Sequence, residues 1–504
     1  MSFRMFARLI CGFFCIHFST FVCFTQPKTI SILHTNDIHG SFMPHEAAWV
    51  LSDPKPRIGG FLELQWLIDS IRQKKSAVLL LDGGDVMTGN PIAEMKYKDS
   101  RGGALFEMMN FIGYDGWTIG NHDLDVSQEN LKHLTKIAAF PALSANLVDS
   151  MGNHHLNHHA SVVITRGGLQ IGIVGLMSKD LFRLTNTKNL EGLRVLGAQE
   201  ILQKMVDSLD NITDLLIALT HQGYEEDSIL ATTVTGIDVI IGSHSHTRLN
   251  TPRLINNVII AQAGAYCENL GELELSVEDD AVISYEGKLH PLWVRHDPKD
   301  TPLKHMVDEY AAKLDSEYGR VIGTVVMTMK RSRAEETIIG TYVAEAVRSA
   351  ARADIGIINS SGLRRDIPAG PVTKMNVYET IPFRNFICTF RISGTDLRRI
   401  IEEYVGSLKN RHMSLGFANV QCTWERHGSG YRVASVFIGS AELKDDEVYS
   451  CATIDYVIDQ AERYLGFVPN DVTISDMLFF DAVVQKIERD GIIGNFTAPR
   501  FIEK

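Results

Sequence analysis

The residues best suited to chemistry fall in five short clusters, each directly after an apolar run. They are Asp37-Ile38-His39, Gly83-Gly84-Asp85, Gly120-Asn121-His122-Asp123-Leu124-Asp125, Thr220-His221-Gln222-Gly223 and Gly242-Ser243-His244-Ser245-His246. Asp, His and Asn offer oxygen and nitrogen donors of the kind divalent transition metals take. The glycines let the backbone turn sharply, so that donors from separate loops can reach one point. A single Asp or His at a strand end is usually a turn residue or a helix cap. Five such clusters in one stretch point instead to a shared metal centre.

Donors this far apart need a framework that gathers them. Between residues 29 and 295, short Val-, Ile- and Leu-rich runs (30–34, 78–81, 116–119, 169–175, 215–219, 239–241 and 258–261) alternate with amphipathic segments such as 61–71 and 199–209. Continuous apolar runs of this length read as strands buried on both faces, and the alternation predicts a layered α/β domain. In such sheets the loops at the carboxyl ends of the strands converge on one edge, where ligands collect. Near Asp297 the texture changes. Asp297, Pro298 and Pro302 precede a charged amphipathic stretch, 303–318, that predicts a connecting helix. The expected organisation is an export segment (1–26), a first domain (27–296), a connector (297–320) and a second domain (321–504). The second domain has a helix at 341–351 and strands at 354–358, 386–392 and 433–437.

The ordered set Asn36-Asp37-Ile38-His39, Gly83-Gly84-Asp85, Gly120-Asn121-His122-Asp123-Leu124-Asp125, Thr220-His221 and Gly242-Ser243-His244-Ser245-His246 resembles the calcineurin-like metallophosphoesterases, in detail the 5'-nucleotidase family. The resemblance implies a four-layer α/β/β/α sandwich with a second α/β substrate-binding domain joined by a helix. It implies one divalent ion held by Asp37, His39, Asp85 and His246, and another by Asp85, Asn121, His221 and His244, with Asp85 bridging. A carboxylate can serve two ions with its two oxygens, and paired ions about 3.5–4 Å apart ready a hydroxide near neutral pH for attack on phosphorus. The ligand chemistry admits zinc, manganese, cobalt or iron. By the same resemblance His122 stabilises the transferring phosphoryl group, and Asp125 orients its ring and favours the imidazolium.

In the second domain Asn359-Ser360-Ser361-Gly362-Leu363-Arg364 resembles the family's substrate loop, Asn-Gly-Gly-Gly-Ile-Arg, with two glycines replaced by serines. Asn359 and Arg364 are retained, as polar contacts to a nucleotide require. Arg348 and Arg352 lie about one turn apart; one of them faces a phosphate, or the pair forms a solvated helix face. Ile381-Pro382-Phe383-Arg384-Asn385 is similar to Leu-Pro-Phe-Gly-Asn, in which the aromatic ring stacks on a base. The family's second stacking loop, Gly-Gly-Asp-Gly-aromatic, is absent, and Tyr464 or Phe467 is left to supply that ring.

Composition bounds the rest. The chain has 504 residues, 45% hydrophobic and 22% charged, which fits more than one globular domain. A formal net charge of -12 disfavours coating of a nucleic acid polymer but not binding of a small nucleotide. Arg4 and Arg8 precede an apolar run at 9–24, the pattern of a secretory signal, and no hydrophobic tail of the glycolipid-anchor type closes the sequence. Secretion without stable membrane insertion is therefore expected. Cys267, Cys388, Cys422 and Cys451 lie beyond that segment, as two bridges or as free thiols, and no Cys-x-x-Cys spacing suggests a thiolate metal site. Asn211 and Asn495 head triplets that would be glycosylation acceptors in a eukaryotic host only. The histidine-dense run 153–159 reads as an exposed loop or hairpin tip.

The expected activity is hydrolysis of nucleoside 5'-monophosphates to nucleoside and phosphate. Rivals of the same build are a nucleoside-diphosphate-sugar hydrolase, an apyrase and a 2',3'-cyclic nucleotide phosphodiesterase. A rival of another class is a secreted nucleotide-binding protein without catalysis.

Overall fold

The apolar runs of the first half form two six-stranded sheets packed face to face. The computed structural model describes residues 27–47, 49–294, 297–332, 336–407, 414–428, 430–494 and 500–504, so the expected export segment and Asn495 lie outside the described residues. In the first sheet Lys28–Thr35, Val78–Asp82, Gly116–Thr118 and Ala142–Leu143 run parallel, and Asn269–Glu278 and Ala281–Pro291 extend it antiparallel beside Lys28–Thr35. In the second, Leu169–Met177, Leu215–His221, Val239–Ile241 and Val258–Ala261 are parallel, with Ser161–Arg166 and Arg253–Ile255 antiparallel at the two edges.

Strand alternation assigns each side chain to a layer. Ile30, Ile32, Leu79 and Leu81 meet Ile171, Ile173, Ile217 and Leu219 between the sheets. Their neighbours Leu33 and Leu80 turn outward against the helices Phe61–Arg72, Gly103–Ile112 and Gln128–Ile137. On the other side Leu216 and Ala218 pack against Ala198–Leu209 and Tyr224–Thr233. Each fully buried Leu or Ile contributes roughly 1.5–3 kcal/mol. Both faces of each sheet are thus covered, and the expected helix–sheet–sheet–helix sandwich is formed.

The helix Pro302–Tyr318 begins at Thr301, whose side chain accepts from the Lys304 N–H, with Pro302 in the first turn where its missing N–H matters least. Its buried face, Leu303, Val307, Tyr310 and Leu314, joins the helical layer of the first domain. The connector is therefore anchored to that domain rather than standing free.

The second domain is built on a five-stranded sheet in the order Leu415–Ala418, Ile355–Asn359, Val448–Ile454, Phe386–Ser393 and Thr473–Leu478. The helices Ile338–Ala351 and Gly394–Ser407 and a four-stranded sheet share one hydrophobic core with it. Cys267, Cys388, Cys422 and Cys451 are all free and buried. Among the described residues no helix is long and apolar enough to cross a membrane.

The histidine-dense run departs from the expected exposed tip. Asn153 and Asn157 are exposed, but His158 is buried and bonds the Leu147 carbonyl at 3.0 Å, while His154 reaches the Ala145 carbonyl at 3.2 Å. These rings fasten the loop to the domain edge. Asn211 is exposed.

Candidate metal centre

All five clusters lie at the carboxyl ends of the parallel strands, where the two sheets share an edge. The first two loops are joined by backbone bonds: Asp37 N–H to Gly84 O at 2.9 Å, His39 N–H to Asp85 O at 3.0 Å and Gly40 N–H to Val86 O at 2.9 Å. Gly84 (φ +89) must lack a side chain, because a Cβ there would sit 2.7 Å from Thr118 O and 2.8 Å from Gly120 N. Gly120 is as constrained, with Asp85 Oδ1 2.2 Å from where its Cβ would be. Asp37, His39, Asp85, His244 and His246 all have positive φ, at 51°, 50°, 57°, 72° and 54°. Non-glycine residues avoid this left-handed region unless the surroundings enforce it, and such residues concentrate at functional sites.

The donor atoms form two groups. Asp37, His39 and His246 make one and Asp85, His221 and His244 the other, with the ligating atoms of each within 4.8 Å of one another. Second contacts fix which ring nitrogen faces inward. His39 Nδ1 lies 2.9 Å from the Thr88 carbonyl and His221 Nδ1 lies 2.8 Å from the Gly83 carbonyl, so each Nδ1 donates outward. Each Nε2 then faces into the site, the orientation typical of metal-bound histidine, with that of His39 free of a proton and that of His221 protonated toward Asp85. His39 Nε2 lies 3.1 Å from His246 Nε2 and His221 Nε2 lies 3.1 Å from Asp85 Oδ2. Asn121 directs its amide at the same place. Its Oδ1 is 3.3 Å from His221 Nε2, and its buried Nδ2 has no hydrogen-bond partner among the described residues.

Burial governs the charges. It raises the Asp37 carboxyl to about 7 and lowers His244 to about 4 and His246 to about 3. His39 is held well below its ordinary value, also by burial. Burial opposes a charged His221 too, but the adjacent Asp85 outweighs it and lifts that ring to about 10. Asp85 is held well below the carboxylate range because His221 and His122 overcome its own desolvation. Three imidazoles kept neutral beside two buried carboxylates are ready-made ligands. With the Asn121 carbonyl oxygen beside His221 Nε2, this donor set fits two divalent cations.

His122 stands beside the two groups and belongs to neither. Its backbone N–H donates to Asp85 Oδ1 at 2.8 Å, and its Nδ1 lies 2.7 Å from Asp125 Oδ2. Burial works against its charge, but Asp125 and Asp85 outweigh it and raise its pKa. Asp125 is itself held by the Thr88 hydroxyl, which donates at 2.8 Å. Asp123, between them, accepts N–H bonds from Asp85, Gly120 and Met87 at 3.1, 2.8 and 3.1 Å and so ties two of the loops together. Nothing in its spacing distinguished it from a helix cap.

Facing the centre is a cleft between the domains, with a cavity of about 370 Å³. Its lining includes His122, Asp125, Asn359, Arg364, Phe383 and Tyr464. The Phe383 ring is 5.4 Å from His122, and the Arg364 guanidinium is 5.9 Å from the Phe383 ring. Arg364 also depresses the pKa of His246, after burial, so its charge reaches the metal ligands.

Three expected substrate contacts are placed elsewhere. Arg348 pairs with Glu345 at 2.6 Å and bonds the Ala353 carbonyl at 3.0 Å; its helix points that end away from the cleft. Arg352 is the left-handed C-cap of the same helix (φ 54°) and does not line the cleft. Phe467 packs on Phe390, with centroids 6.4 Å apart, and under Arg399. The helix Ala461–Leu465 turns Tyr464, not Phe467, into the cleft, where its hydroxyl lies 3.4 Å from Ser361 Oγ.

Sequence reasoning also missed cationic side chains in or beside the cleft. Arg365 sits over Tyr266, 5.1 Å from the ring, and Lys188 lies 3.4 Å from Asp455 across the domain boundary. Arg384, where the resembling segment has glycine, reaches Glu94 of the first domain at 3.7 Å. The replacement of that glycine was the one visible signal.

Residues 30–248 match the model of calcineurin-like phosphoesterases and residues 318–467 that of the 5'-nucleotidase C-terminal domain. With the donor groups and the cleft, these matches define a metal-dependent phosphoric ester hydrolase. The human 5'-nucleotidase is 28% identical over 479 residues, 83% of this chain and 81% of its own length. A trifunctional nucleotide phosphoesterase of Bacillus subtilis is 25% identical over 94% of this chain, which spans only 34% of that protein. The solved 5'-nucleotidase precursor of Thermus thermophilus has the same fold, with a TM-score of 0.81, 24% identity and coverage of 94% of this chain and 99% of its own. The chain belongs to the 5'-nucleotidase family.

Proposed function

We propose that this chain is an exported dimetal 5'-nucleotidase that hydrolyses nucleoside 5'-monophosphates to nucleoside and phosphate. The observation that carries the reading is two adjacent donor groups facing a cleft whose far wall supplies an aromatic ring and a guanidinium. Asp37, His39, Asp85 and His246 would hold one ion and Asp85, Asn121, His221 and His244 the other, with Asp85 shared. Bound there, two divalent cations supply the acidity that readies a water at neutral pH and offset charge on the phosphoryl oxygens.

The side chains do the rest. With Nδ1 engaged by Asp125, His122 has its Nε2 free to donate to a phosphoryl oxygen and then to the departing 5'-oxygen. Arg364 adds fixed positive charge on the cleft side of the phosphate. Phe383 offers a stacking face to the base, worth ~1–3 kcal/mol. Tyr464 offers a second aromatic surface, and Asn359 polar contacts.

A panel of AMP, UDP-glucose, ADP and 2',3'-cyclic AMP, run beside elemental analysis, tests this. AMP is expected to show the highest kcat/KM, with two metal ions per chain. Greater turnover of UDP-glucose or ADP would favour a second reading, an anhydride hydrolase. Lys188 and Arg384, which line the cleft 5.7 and 5.9 Å from the Phe386 ring, are what speak for it. Inertness toward all four with manganese, cobalt or zinc present would leave a binding protein. Export is tested by the N-terminal sequence of the protein from the extracytoplasmic fraction, expected to start near residue 27.

A further inference from the structure

A second cavity, of about 450 Å³, lies at the junction of the first domain, the connecting helix and the second domain. It shares Glu94, Pro382, Phe383 and Arg384 with the catalytic cleft, so this short segment is a partition with a cavity on each side. Its size falls within the range of small-molecule sites.

The lining specifies a ligand chemistry. Tyr318, Tyr378 and Phe480 form a mutual cluster with centroids 5.9, 6.2 and 5.8 Å apart, and Tyr318 and Phe480 remain only half-buried. Such rings favour a flat aromatic group in offset or edge-on contact. The charged lining residues are Lys96, Arg101, Lys313 and Arg384 against Glu94 and Glu317. Arg101 and Arg384 share the single carboxylate of Glu94, at 3.3 and 3.7 Å. Lys313 is answered by Glu309 on its own helix at 2.6 Å. Lys96 is exposed and has no ion-pair partner among the described residues. Four cations thus stand against three carboxylates, Glu94, Glu309 and Glu317, an excess of one positive charge in the pocket that favours an anion.

We propose that this second pocket binds a planar aromatic anion and, by bearing on Phe383 and Arg384 from behind, sets how tightly the catalytic cleft holds its substrate. The binding stands on the pocket alone; the coupling rests on the reading above that Phe383 is part of the substrate wall.

The test uses the full chain and 8-anilinonaphthalene-1-sulfonate, an aromatic sulfonate with no phosphoester to hydrolyse. Fluorescence titration is expected to give one saturable site per chain. Lys96→Glu, at an exposed position, should weaken it about tenfold, as should Tyr318→Ala. Chelation of metals and Arg364→Ala should leave it within about twofold. Circular dichroism checks that each variant is folded. At saturation the dye should shift KM for whichever panel substrate is best turned over, with the larger change in KM than in kcat. Affinity unmoved by both pocket variants, or lost in Arg364→Ala, overturns the site. Pocket-dependent binding with KM unchanged overturns the coupling. Pocket-dependent binding in a protein that hydrolyses no nucleotide supports the site and removes only the proposed function.

Discussion

The metal centre and the wall that faces it are built on different principles. In the first domain five of the seven donors are buried and His244 and His246 partly so, five have positive φ, and second hydrogen bonds choose the inward ring nitrogen of His39 and His221. The loops are packed so closely that Gly84 and Gly120 have no room for a Cβ. Across the cleft, Arg384 is a partly exposed side chain held by one ion pair at 3.7 Å and by its contact with the Phe386 ring. A metal ligand must be placed within a few tenths of an ångström, which requires over-determined backbone. A base or sugar tolerates looser geometry, and long side chains can be exchanged there without disturbing the core. The contrast shows where this family member has freedom to change substrate and where it has none.

That contrast can be broken or sharpened by experiment. Asp85→Asn should reduce turnover by at least about 10⁴-fold, with metal loss by elemental analysis; retained metal and turnover would mean that Asp85 is no ligand. Removing metal from the whole chain should destabilise the first domain by about 4 kcal/mol for an ion bound at a thousandfold excess over Kd, with the second domain unmoved in calorimetry. A parallel shift of both transitions would deny the separation. His122→Ala should lower kcat by about 10²–10³-fold with metal content intact, and metal loss would make it a ligand. Phe383→Ala should act mainly on KM for the nucleotide, by about 5–150-fold, the equivalent of ~1–3 kcal/mol; an unchanged KM would remove it from the base site. Arg348→Ala should leave KM within about twofold, since its guanidinium is engaged by Glu345.

The first domain was far more legible than the second, for reasons visible in particular residues. Asp37, His39, Asp85, Asn121, His244 and His246 lie in short loops after strands such as Lys28–Thr35 and Val78–Asp82, and His221 closes the strand Leu215–His221. Adjacency in sequence there leaves little freedom in space. Phe467 and Tyr464 are three positions apart around the end of a five-residue helix, Ala461–Leu465, and only packing against Phe390 and Arg399 decides which ring enters the cleft. Arg348 was a plausible phosphate contact until its helix was set down with that end turned away. Asp123 could not be told from a cap because two of its three N–H partners, Asp85 and Met87, come from the loop after another strand, Val78–Asp82, and only Gly120 from its own.

The alternating apolar runs by themselves determined a layered α/β domain, and the donor types at the strand ends determined that its edge would hold divalent cations. Both follow from local chemistry: strand periodicity and ligand preference act over a few residues. Tertiary structure alone decided which donors group together, which nitrogen of His39 and His221 turns inward, and which side chains of the second domain face the metals. These depend on how sheets stack and how two domains meet, through contacts between residues hundreds of positions apart, such as Asn36 with Gly264 and Lys188 with Asp455.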